Sequence, residues 1–164
     1  MTEQRRLHVY GYVERPYEGV RTLLRARAVE LFQSATTSAA TRGQSLMAIL
    51  RVGIGAFEIG VDVRTHVKRI RDEEPIAGMP PMTSVELDWE AARVPALFPI
   101  MRAELSAWPI LPTETQIAIE GEYQPPFRQV GNTLDALLLH RVAEASVHRF
   151  LEDVLAQMRC EIPP

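Results

Sequence analysis

The C-terminal segment constrains the fold more than any other part of the chain. Residues 130–159 carry a helical period without interruption, and at about 100° per residue one side collects Ala143, Val147, Phe150, Leu151, Val154 and Met158. Arg141, Glu144, His148, Glu152 and Arg159 fall on the opposite side. The first turns, "LDALLLH", are apolar almost all round and need cover on several sides. A helix of this length cannot bury such a stripe against itself, so the rest of the chain must supply a broad apolar surface. Asn132, with Asp135 three residues on, gives the helix a start signal and an acid near its positive end.

That surface is written in period two. In a strand over residues 6–14, Leu7, Val9, Gly11 and Val13 alternate with His8, Tyr10 and Tyr12. Pro16 then opens a helix over 16–35, in which Val20, Leu24, Ala28 and Leu31 share a face. The small, polar run "SATTSAATRGQS" reads as a short second helix or a loop. "LMAILRV" reads as a strand over 46–52 buried on both faces, and "VGIG" as a tight turn. In a strand over 57–69, Phe57, Ile59, Val61, Val63, Thr65 and Val67 oppose Glu58, Asp62, Arg64, His66 and Lys68. "EEPIAGMPP" is a loop on its Pro and Gly content. Val85, Leu87 and Trp89 form the dry face of a strand over 83–90; further strands cover 97–107 and 114–123, the latter with Ile117 and Ile119 inside. Strands with one wet face suit an antiparallel sheet. The fold class that follows is α+β: six to seven curved antiparallel strands wrapped around the C-terminal helix, one domain over residues 1–164.

The composition excludes several functions. A chain of 164 residues with formal net charge −3 is a poor nucleic-acid binder, because phosphate contacts need clustered Lys and Arg. The densest basic stretch, "HVKRIRDEE", runs straight into acids and reads as a solvated strand end. A lone cysteine, Cys160, allows neither an internal disulfide nor a Cys-based metal site. No stretch approaches 18 apolar residues and the N-terminus lacks a leader-like run, so stable membrane insertion is not expected and the setting is read as cytoplasmic.

The stretches "LDWEA" (87–91), "LFPIMRAELS" (97–106), "ETQIAIEGEYQPP" (114–126) and "LHRVAEASVHRFL" (139–151), in this order, resemble the helix-grip fold of the START-like (SRPBCC) superfamily. That superfamily includes START lipid-transfer domains, pollen-allergen-type proteins and polyketide cyclases; the nearer likeness is to bacterial START-like and polyketide-cyclase-like proteins of unassigned function. The resemblance implies a small apolar or amphipathic ligand, lipid-like or polyketide-like, held between sheet and long helix, with no cofactor. The chain departs from the commoner pattern in its poorly defined second helix after residue 35.

On this reading the ligand-facing positions on the strands are Phe57, Val61, Val63, Val85, Leu87, Trp89, Met101, Ile117, Ile119 and Tyr123. Phe127 closes one end, and His140 and Val147 face them from the helix. Phe98, Trp108 and Met158 extend the aromatic and Met character of the lining, which plain core packing would explain equally. A cyclase or aromatase would instead need His140, Arg102 or Tyr12 to converge in one pocket. His140, Glu144 and His148 are spaced i, i+4, i+8, but helical arithmetic separates them, and side-chain pairing on a wet face explains the last two; no metal site is expected. A third reading is an interaction module, in which the outer face or an edge strand pairs with a partner or a second copy. The corner "EYQPPFRQVGN" between the last strand and the helix reads as a stiff joint, since neither Pro125 nor Pro126 can extend a ladder.

Overall fold

A computed structural model describes residues 5–49, 63–91, 101–123 and 133–164, with side chains described except at 5, 40–49, 63, 90–91, 101, 123 and 133–143. Its elements are β1 (Arg5–Val13), α1 (Tyr17–Ile49), β2 (Val63–Glu73), β3 (Met82–Ala91), β4 (Met101–Leu111), β5 (Glu114–Tyr123) and α2 (Thr133–Glu161). The strands form one antiparallel sheet in the order β1-β5-β4-β3-β2. Its inner face packs on α1 and α2, an α+β arrangement of the helix-grip kind. Among the described residues the sheet has five strands, fewer than the six to seven expected.

The inner face follows the alternation. Leu7, Val9 and Val13 of β1, Ile117 and Ile119 of β5, Ala103, Leu105 and Ala107 of β4, and Val85 and Leu87 of β3 are all buried in one core. From α2, Val147, Phe150, Leu151, Val154, Leu155 and Met158 enter the same core, while Glu144, His148, Glu152 and Arg159 are exposed. Burying a Leu, Ile or Phe side chain contributes about 2 kcal/mol each, so this shared core is the main stabilising term. Gly11 lets α2 approach closely, since a Cβ there would stand 2.6 Å from Leu155 Cδ1. Gly19 does the same for the chain beyond α2, with a Cβ 2.5 Å from Ile162 Cγ2. The end of α2 is fastened by Arg15, which donates to the Ile162 carbonyl at 2.5 Å and the Arg159 carbonyl at 2.7 Å. A cation placed on the last carbonyls satisfies orphan acceptors and opposes the negative end of the helix dipole.

Four expected elements differ. The helix expected over 16–35 runs on to Ile49, so "SATTSAATRGQS" is helical and no loop intervenes. Its polar residues tolerate this because Thr37 Oγ1 bonds back to the Gln33 carbonyl at 3.0 Å, while Ala35, Thr36 and Ala39 turn inward. α1 is instead kinked at Arg27, inside the expected first helix, where φ of −140° and ψ of 23° are not helical. Second, Leu46 to Ile49 of the expected strand 46–52 belong to α1; a short all-apolar run has no period that separates strand from buried helix. Third, β2 extends to Glu73, and its register shifts at Lys68, between Val67↔Leu87 and Arg69↔Glu86. This bulge turns the inward parity from Thr65 and Val67 to Ile70 and Asp72. β4 likewise runs to Leu111 where a strand over 97–107 was expected. The stretches 57–62, 97–100 and 124–132, with Phe57, Val61, Phe98, Phe127 and the proline corner, lie outside the described residues.

Candidate functional site

Among the described residues, Thr115 of β5 enters the apolar inner face with its hydroxyl bonded to the Arg15 carbonyl at 2.9 Å, and two larger groups of polar side chains enter it at either end of the β2–β3 pair. The first lies where β2 begins. Thr65 and Trp89 are register partners there, and Thr36 of α1 reaches down between them. The Trp89 indole N–H donates to Thr36 Oγ1 at 2.8 Å, and Thr36 Oγ1 lies 2.5 Å from Thr65 Oγ1. Gln33 Oε1 accepts from the Thr65 backbone N–H at 3.0 Å. Thr36 and Thr65 are buried, and the Trp89 ring stands edge-on to Phe150 with centroids 4.8 Å apart. Phe32 of α1 packs on the other flank of Phe150 at 5.8 Å. The group is uncharged and walled by aromatic rings. An indole N–H can only donate and a hydroxyl can do both, so Thr36 must accept from Trp89 and keeps one further exchangeable partner.

The second group lies at the hairpin end of the same strands. The Tyr17 hydroxyl is 2.8 Å from Thr83 Oγ1, and Thr83 Oγ1 donates to Asp72 Oδ1 at 2.8 Å. Because the single Thr83 proton goes to the carboxylate, Tyr17 must be the donor to Thr83. Arg21 Nε approaches Asp72 Oδ2 at 3.4 Å, and Arg25 Nη1 bonds the same oxygen. Burial alone would push the Asp72 carboxyl up; the Thr83 hydroxyl, Arg25 and Arg21 together hold it below the usual carboxylate range. The Tyr17 phenol is pushed up, first by burial and further by the negative charge of Asp72. Among the described residues no buried side-chain nitrogen or oxygen lacks a partner.

The sequence-predicted positions sort clearly. Val85, Leu87, Ile117, Ile119, Trp89 and Val147 all lie on the inner side, and of these only Trp89 carries a polar group. Val63, Met101 and Tyr123 belong to their strands and His140 to α2, but their side chains lie outside the described set. Trp108, expected in the lining, instead sits on the outer face opposite Gln116, with exposed Tyr12 on the far side of Gln116. Its parity within β4 is that of Arg102, Glu104 and Ser106. Tyr12 and Arg102 therefore both face outward, at opposite ends of the sheet, and do not converge on an interior pocket.

Sequence reasoning missed Thr36, Thr65 and Asp72 as interior polar groups. Thr36 is hidden in a run with loop-like chemistry, and Thr65 in an apolar row. Asp72 has a visible signal: Val67 and Ile70 are both apolar but three apart, a break in period two that marks a bulge. No described group of His, Cys, Asp and Glu side chains could hold a metal ion, and no described helix is long and apolar enough to cross a membrane.

No family model and no curated protein matches the chain. Solved structures similar to it include the Zhui aromatase/cyclase of a Streptomyces species, at 13% identity and a TM-score of 0.48 over 95% of this chain and 94% of that one. Norcoclaurine synthase of Thalictrum flavum aligns at 11% identity and a TM-score of 0.46 over 99% of this chain and 97% of that one. A conserved protein of Geobacillus kaustophilus aligns at 12% identity and a TM-score of 0.41, over 97% and 98%. At such identities these are likenesses of fold.

Proposed function

We propose that this chain binds a small apolar or amphipathic molecule, lipid-like or polyketide-like, between the inner face of the sheet and α2, at the Trp89 end. One observation carries the reading. Among the described residues, the Trp89–Thr36–Thr65 group is an uncharged, buried polar group on a mostly apolar inner face, and it is bounded by aromatic rings. Apolar walls with a few fixed polar atoms are the usual make-up of a site for such ligands. Thr36 and Thr65 would exchange their mutual hydrogen bond for one to a ligand hydroxyl or carbonyl. Phe150 and Val147 would supply the apolar wall, together with the expected positions Met101, Tyr123 and His140.

The chain has two tryptophans, so Trp108→Phe leaves Trp89 as the sole indole reporter. Long-chain fatty acids, a sterol and a polycyclic phenol are added in turn to this variant, reading Trp89 emission and thermal stability. A true ligand changes the emission and raises the melting temperature with concentration, as binding to the native state must. Thr36→Val should weaken a hydroxyl-bearing ligand about tenfold, the equivalent of one hydrogen bond, and leave a purely apolar one within about twofold. Unchanged emission and melting with every class would overturn the reading.

A further inference from the structure

The two edges of the sheet are finished differently. Along β2 the Thr65 N–H is taken by Gln33, the Lys68 bulge interrupts the ladder, and α1 packs against the strand. Such features keep an edge from pairing with another chain. β1, the opposite edge, pairs with β5 in unbroken register from Arg5 to Val13 and contains neither proline nor bulge. Its outward side chains stand in water: Arg6 and His8 are 88% and 58% exposed, and Tyr10 is 57% exposed.

The direction of the β1 backbone follows from two independent observations. Pro109 of β4 has no N–H and sits opposite Thr115 of β5, so Thr115 turns its amide toward Val13 of β1. Hydrogen-bonded and non-bonded pairs alternate along an antiparallel ladder, so Leu7, Val9, Gly11 and Val13 bond β5. Arg6, His8, Tyr10 and Tyr12 then direct N–H and C=O to the free edge. In agreement, the Tyr12 carbonyl accepts from Arg159 Nη2 at 2.9 Å. That contact, with Glu14 held beside it by Arg159, caps the Tyr12 end. Among the described residues no other side-chain bond to this edge is present, and the open ladder runs from Arg6 to Tyr10.

We propose that this edge pairs with β1 of a second copy of the chain, antiparallel about a two-fold axis at His8. The edge-directed residues must pair with one another, and this register uses Arg6, His8 and Tyr10 while leaving the Arg159 cap in place. It sets His8 opposite the partner's His8 and Arg6 opposite the partner's Tyr10. A guanidinium then meets an aromatic ring at both ends, a self-complementary pattern that selects a second copy over an unrelated strand. The interface is isologous and closes at two subunits. It joins two sheets into one and leaves both inner faces untouched, so it is independent of ligand binding.

Sedimentation equilibrium across roughly a hundredfold range of concentration tests the proposal, because a two-subunit equilibrium shifts by mass action. The wild-type mass should rise toward twice that of the chain. Tyr10→Pro removes an edge-directed N–H without touching the β5 ladder, and should remain a monomer with unchanged far-UV circular dichroism. If that variant loses its fold, His8→Asp, which sets two carboxylates face to face at the axis, is read the same way. In a Cys160→Ser background, His8→Cys should cross-link to itself with a short bismaleimide and Tyr12→Cys should not. A wild-type monomer at every concentration, a dimer that survives the folded edge variant, or cross-linking at 12 in place of 8 would each overturn the proposal.

Discussion

The two polar groups on the inner face share the same pair of strands and the same helix, yet they solve opposite problems. At the hairpin end, Asp72 meets Thr83, Tyr17 and two arginines whose side chains are 34% and 53% exposed. Charge is admitted there because water reaches the cations, and the group fastens the first half of α1 to β2 and β3. At the other end, Trp89, Thr36 and Thr65 carry no charge, and all three are buried. That group fastens the helix beyond the Arg27 kink. An interior accepts a carboxylate only near its rim and with partners; deeper in, neutral donors and acceptors must do the same work. Only the neutral group can exchange a partner for an uncharged ligand without stranding a charge.

The largest effect expected from breaking this comparison is at Trp89. Trp89→Ala opens a cavity against Phe150 and removes the donor to Thr36, and should cost about 4 kcal/mol in urea unfolding. It should abolish the ligand response as well. A loss below about 1 kcal/mol would mean the aromatic wall is loosely packed and the site reading lacks its frame.

Asp72→Ala should cost less, about 2 kcal/mol, because the carboxylate is nearly buried while the arginines it leaves behind are solvated. Thr83 loses an acceptor but keeps its contact with Tyr17. Ligand-induced stabilisation should be the same as in the wild type. If ligand binding fell with Asp72→Ala as far as with Trp89→Ala, the division of labour between the two ends would be wrong.

Much of this arrangement is legible in the amino-acid sequence. The alternation around Val85, Leu87, Ile117 and Ile119 sets which face of the sheet is dry, and the stripe from Val147 to Met158 sets which side of α2 meets it. These patterns hold because burying the opposite parity would strand charges such as Glu86 and Glu120 in the core. Both interior polar groups are harder to see, for different reasons. Asp72 is carried inward by one extra residue in β2, and a strict two-residue count cannot anticipate that. Thr36 sits in a run whose local chemistry suits a loop, and it is helical because tertiary partners take up its hydroxyl. The parity of Trp89 marks it as inward-facing, but its role as a donor depends on Thr36, more than fifty residues away in sequence. Aromatic character draws Trp108 toward the interior in a sequence reading, whereas its parity with Arg102 and Glu104 sets it outside.

The finest test of the comparison is the pH dependence of stability, where a charged group leaves a slope and a neutral group does not. Asp72 has a lowered value in the fold: burial opposes this, and Thr83, Arg25 and Arg21 outweigh it. Its stabilising contribution is therefore complete above the unfolded carboxylate value of about 4, and is lost as pH falls through the lower folded value. Tyr17 has a raised value, chiefly from burial, so its contribution is complete below the unfolded phenol value of about 10 and is lost as pH rises toward the folded one. The hairpin-end group thus stabilises most between those limits. In urea unfolding measured against pH, Asp72→Asn should flatten the acid limb and Tyr17→Phe the alkaline limb. Thr36→Val should lower stability by about 1 kcal/mol at every pH, since it leaves the Trp89 N–H unpaired and removes no charge. A Thr36→Val loss that varied with pH would mean that the neutral end is coupled to Asp72 and that the two groups act as one.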